Sequence, residues 1–144
     1  MHMDMGETIG WAFVASAAAL SLAAFFFRGQ RMATGRAILF SLPTFGLMVG
    51  SFVSIMASSA GQMTYAAFYI GEGFFFLAIA LWRPTDSPRW PGTLNYGIAI
   101  EFALMGVGRL LPNAIGIWVT AMAIVALAVA GLIAFNQYRS MRAV

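Results

Sequence analysis

The stretch AIGIWVTAMAIVALAVAGLIAF, residues 114–135, carries no charge, and its one hydroxyl belongs to Thr120. As a helix it measures about 33 Å, slightly more than the roughly 30 Å of a bilayer's hydrocarbon. A segment this apolar has no polar face to turn toward water. In lipid its backbone can be satisfied only from within, which dictates a helix. Reading outward, Pro112-Asn113 makes a tight reversal, and Thr93 to Leu111 forms a further apolar run before it. One continuous helix through both runs would be about 60 Å long, twice the membrane. Pro112, with Gly106 and Gly108 ahead of it, favours a hairpin instead.

The rest of the chain repeats the pattern. Thr8–Phe27, Ala37–Met56 and Met63–Trp82 are apolar spans separated by short polar turns. Pro43 lies early in the second span, where a kink or a widened first turn is expected. The one obvious loop is Arg83 to Gly92, with Pro84, Pro88 and Pro91. The reading is therefore an all-α integral membrane protein, a compact bundle of about five transmembrane helices forming a single domain over 1–144. The spans are expected near 8–27, 37–56, 63–82, 93–111 and 114–135.

Composition agrees. Of 144 residues, 61% are hydrophobic and only 9% charged, with a mean hydropathy of +0.84. A soluble domain carries roughly 25% charged residues. Cysteine is absent, which excludes disulfides, thiolate metal sites and a cysteine nucleophile. All eight basic residues are arginine, a usage that fits GC-rich bacterial coding. The pI near 10.0 reflects scattered loop arginines with no basic cluster to follow phosphates, so nucleic acid is not an expected partner. The start, Met1 to Glu7, is acidic, whereas a signal peptide opens on a basic region; the first span is read as a retained helix.

Charge also orients the chain. With five spans and the N-terminus outside, Arg28, Arg31, Arg36, Arg83, Arg89, Arg139 and Arg142 fall on the cytoplasmic side with the C-terminus, against Arg109 outside. That is the bias of the positive-inside rule, and it points to a bacterial inner membrane.

Small residues give helices their contacts in lipid. Gly46 and Gly50 form a GxxxG for helix packing. On the first helix Ala12, Ala15, Ala19 and Ala23 make one small face. Ala17, Ala18 and Ala24 on its other sides exceed what one internal contact requires, and mark a surface for docking a partner. Ala123, Ala126, Ala130 and Ala134 line the last helix.

Two carboxylates interrupt the spans. Glu72 and Glu101 lie at similar depths on antiparallel helices, near the midplane, where an ionisable group is costly and defaults to a functional role. Tyr65 and Tyr69 share the Glu72 side. The pair reads either as two carboxyls sharing a proton or as separate hydrogen-bonded ties between helices. Arg109 is the outer-face anchor, reaching the headgroups or holding an anion or partner. The start Met1-His2-Met3-Asp4-Met5 resembles, over five residues, the Met- and His-rich leaders with which copper transporters collect metal. That resemblance implies His2, Met3 and Met5 as Cu(I) ligands.

No Ser-His-Asp set, P-loop, Rossmann glycine pattern or zinc spacing is present, and one histidine cannot supply a bis-His haem. An enzyme is not expected, nor a cofactor beyond bound lipid, with copper as the alternative. The leading reading is a non-catalytic accessory or assembly subunit of a larger bacterial inner-membrane complex, an energy-transducing complex being one candidate. Its partners would be membrane lipid and other membrane-protein subunits. The rivals are an oligomeric proton-linked carrier or channel using Glu72 and Glu101, with a homo-oligomer as its form, and a copper-handling protein.

Overall fold

The computed structural model describes residues 4–27, 34–57, 60–82 and 87–142. It contains five helices, α1 (Met5–Phe26), α2 (Thr34–Met56), α3 (Gln62–Leu81), α4 (Trp90–Leu110) and α5 (Asn113–Arg142), and no strand among the described residues. α1, α2, α3 and α5 are each long and apolar enough to cross a membrane. α4 falls short of that standard, because Asn95, Glu101 and Arg109 interrupt its apolar residues.

Local chemistry fixes the ends. Asp4 caps α1, its Oδ1 accepting the Glu7 amide at 2.7 Å. α4 begins inside the expected proline loop: Pro91 sits in its first turn, where a missing N–H costs nothing. α5 runs on past the expected exit at Phe135, since no Gly or Pro interrupts residues 136–142. That extension is pinned to the start of α4, where the Thr93 hydroxyl donates to Gln137 Oε1 at 2.7 Å and Trp90 meets Tyr138 edge-on at 5.8 Å.

The helices alternate in direction. α1, α3 and α5 start at the end that holds Asp4; α2 and α4 start at the end that holds Arg139. Their neighbours run in the order α2, α1, α3, α4, α5, with α2 also touching α3. Three helices thus cluster, and α4 and α5 extend them sideways. The compact bundle read from sequence opens at this edge, because α5 packs against α4 alone among the described helices.

The α1–α3 seam is the best filled. Phe13, fully buried, lies over Gly71, where any Cβ would overlap its ring. Ala17, Ser21 and Ala24 continue that buried stripe, and the Ser21 hydroxyl donates to the Phe74 carbonyl at 2.6 Å. Across α3, Gly73 meets α4 at Ala99 and Ala103. A Cβ on Gly106 would stand 2.9 Å from both Ala66 O and Ile70 N, so these backbones touch. α5 closes on α4 through buried Gly116, Ala123, Ala130 and Ala134.

α2 is attached more thinly. Its buried side chains are Thr44 and Ser51, and Thr44 shares a 2.7 Å hydrogen bond with Ser16 of α1. Ser51 Oγ is buried without a hydrogen-bond partner. Two packing expectations are corrected here. A Cβ on Gly46 would meet nothing within 4 Å, so this glycine makes no internal contact; Gly50 approaches α1 at Ile9. Ala12, Ala15 and Ala19 face outward, because the Phe13 stripe, not the alanine stripe, is the side that fits α3.

Candidate functional site

Gly71-Glu72-Gly73 is the centre of the molecule. Successive residues on a helix turn by about 100°, so the two glycines point about 200° apart. One admits Phe13 of α1 and the other admits Ala99 and Ala103 of α4. Glu72 between them is directed to the remaining flank of α3, the side between α2 and α4.

There Glu72 is 7% exposed, on the same flank of α3 as two groups of aromatic rings. On one side Phe68 reaches Phe13 and Phe52, with centroids at 6.3 and 6.0 Å. On the other, Phe102 of α4 stacks between Tyr69 and Phe76, at 6.0 and 5.8 Å. Tyr69 and Phe76 lie one turn before and one turn after Glu72, so that stack spans its height. No hydroxyl, amide or basic group among the described residues hydrogen-bonds to the Glu72 carboxyl.

Glu101 does not complete a pair with it. Ala99 and Ala103 face α3, and Glu101 is about 200° around α4 from Ala99, on the flank with Gly97 and Gly108 that faces α5. No hydrogen bond joins the two carboxylates, and Glu101 too has none among the described residues. Opposite it, α5 offers Ala123 and its apolar neighbours.

Tyr65 and Tyr69 serve Arg109 rather than Glu72. The Arg109 guanidinium lies 5.0 Å from the Tyr65 ring centroid and 5.7 Å from that of Tyr69, and donates from Nη1 to Gln62 Oε1 at 3.1 Å. Beside it opens a cleft of about 490 Å³, lined by Gln62 of α3, Gly108 of α4, and Asn113, Ile117 and Thr120 of α5. Sequence reading singles out Arg109 but not Gln62, Asn113 or Thr120. Gln62 lies on α3 and Asn113 and Thr120 on α5, and the packing of both helices against α4 brings them beside Arg109.

The docking surface read on α1 is corrected. Ala17 and Ala24 are 0% and 1% exposed inside the chain's own seam with α3, so no partner reaches them; Ala18 is half-buried. Small residues marked a contact, but an internal one. Of the candidate copper ligands, His2 and Met3 lie outside the described residues, and Met5 is 78% exposed at the start of α1. No group of three His, Cys, Asp or Glu that could hold a metal occurs among the described residues.

Among the described residues, the arginines divide by end. Arg36, Arg89, Arg139 and Arg142 are at the Arg139 end, and Arg109 is at the Asp4 end with Asp4 and Glu7. No protein-family model, curated protein or solved structure matches this chain.

Proposed function

We propose that the chain is a multi-pass protein of a bacterial inner membrane, with the Asp4 end outside and the Arg139 end cytoplasmic, acting as a non-catalytic accessory or assembly subunit of a larger complex. Four apolar helices and the arginine asymmetry support the membrane reading. α4 crosses as the fifth span despite Asn95, Glu101 and Arg109, because α3 and α5 cover two of its sides. The polar extension of α5 fits an exit into water: at about 45 Å the helix outruns the hydrocarbon by roughly 15 Å.

The observation that carries the subunit reading is Glu72. A buried carboxyl in lipid needs a hydrogen-bond donor, and this chain's described residues provide none. A helix from another subunit docked on the flank between α2 and α4 would bring it a hydroxyl or amide. The proton-linked carrier is less well supported, since Glu72 and Glu101 lie on different helix flanks with no hydrogen bond between them.

Mild-detergent purification of the tagged full-length chain from its own membranes tests the proposal. A stoichiometric membrane partner is expected, retained in Glu72→Gln and lost in Glu72→Leu, with the chain itself still folded. Recovery of a clean homo-oligomer, or full partner occupancy in Glu72→Leu, overturns it.

A further inference from the structure

We propose that the cleft between the end of α4 and the first turns of α5 binds a phosphate group, and that its source is the headgroup of a phospholipid. The first part rests on the cleft's chemistry. Arg109 offers five N–H donors. One is spent on Gln62, and no carboxylate lines the cleft or pairs with the guanidinium among the described residues. Asn113 and Thr120 add an amide and a hydroxyl on the facing wall. A cation beside neutral donors, with no acid among them, matches an anion with several acceptor oxygens.

The arginine is also held in place. Its guanidinium lies against Tyr65 and is tied to Gln62, so little freedom remains to be lost on binding. The cleft exists because α4 and α5 touch at Gly108 and Gly116. A Cβ on Gly116 would come within 2.6 Å of the Gly108 carbonyl oxygen. Larger residues at this crossing would splay the helices and separate Arg109 from Asn113 and Thr120.

The lipid assignment rests additionally on the membrane reading. Ile117, 69% exposed, lines the cleft, and Ile124, 64% exposed, follows it two turns along the same side of α5. An acyl chain descending from a phosphate at Arg109 would run along that apolar flank. Glu72 takes no part, so loss of the protein partner and loss of this site are separate events.

Native mass spectrometry of the full-length protein in a phosphate-free maltoside detergent tests this, with dioleoylphosphatidylglycerol, dioleoylglycerol and inorganic phosphate as probes. The wild-type chain should retain the phospholipid but not the diacylglycerol, which lacks the phosphate. Arg109→Gln should weaken retention roughly tenfold or more, as expected for charge-assisted hydrogen bonds. Arg109→Lys should fall between, keeping the charge without the planar fork. If millimolar phosphate displaces the lipid and protects the protein against unfolding by itself, the phosphate chemistry stands and its source is free phosphate. Equal retention of phospholipid and diacylglycerol, or wild-type retention in Arg109→Gln, overturns the proposal. Should Arg109→Gln fail to fold, Arg109→Lys with Thr120→Val decides: unchanged retention in that double variant overturns it as well.

Discussion

Gly71 on α3 and Gly46 on α2 are both mid-helix glycines, yet one is filled by the Phe13 ring and the other faces open space. The difference separates two kinds of attachment. Along α1–α3, a large side chain occupies a notch that only glycine provides. Along α1–α2, contact rests on Thr44, Ser51, a hydroxyl pair and close approaches at Gly50–Ile9 and Gly6–Ser54, with no large ring seated in a notch among the described residues. In an apolar solvent a helix gains little by hiding apolar surface, so tight fit and polar ties must do the holding. A glycine therefore matters for what stands opposite it, not for its spacing from the next glycine.

Substitutions can break or sharpen that contrast, using denaturant unfolding of the detergent-solubilised chain followed by circular dichroism. Phe13→Ala has the largest expected effect, a loss of about 3 kcal/mol, because it empties the α1–α3 notch. Gly71→Ala should also destabilise, and pairing it with Phe13→Leu should recover much of the loss. Two strictly additive changes would mean that ring and notch are not one contact.

Gly106→Ala follows at about 2 kcal/mol, since its neighbours are the backbone atoms of Ala66 and Ile70 and cannot rotate away. Gly46→Ala should act in the opposite direction and stabilise by up to about 1 kcal/mol through helix propensity alone. A destabilising Gly46→Ala would show that the GxxxG is a contact surface after all. Thr44→Val removes the hydroxyl pair and should cost about 0.6 kcal/mol. Ser51→Ala should be nearly neutral, because it deletes a hydroxyl that has no partner to lose.

The number of helices is legible in the sequence. Runs of apolar residues near the length of a bilayer, broken at Arg28-Gly29, Ser58-Ser59, Pro84 and Pro112, leave few other readings. What sequence does not show is which side of each helix touches which neighbour. A helix that is apolar all round has no polar face to mark its outside. On α1, Ala12-Ala15-Ala19 and Phe13-Ala17-Ala24 are equally apolar, and choosing between them requires knowing that Gly71 waits on α3. The same blindness hides Gly71-Glu72-Gly73, whose two glycines serve different partners and match no motif. Arg109 stands out as a lone cation, but Gln62, Asn113 and Thr120 are ordinary polar residues until the fold collects them.

The spatial order α2, α1, α3, α4, α5 bears on how the chain is assembled as it is made. A ribosome delivers α1, α2 and α3 first, and these three already contain their mutual contacts, including the Phe13 notch. α4 then needs only α3, and α5 needs only α4, so each later helix adds at an edge without reopening what precedes it. Errors late in synthesis should therefore leave a folded N-terminal cluster for quality control to recognise. Errors in α1 remove most of the seat of α2 and half the lining of α3 together.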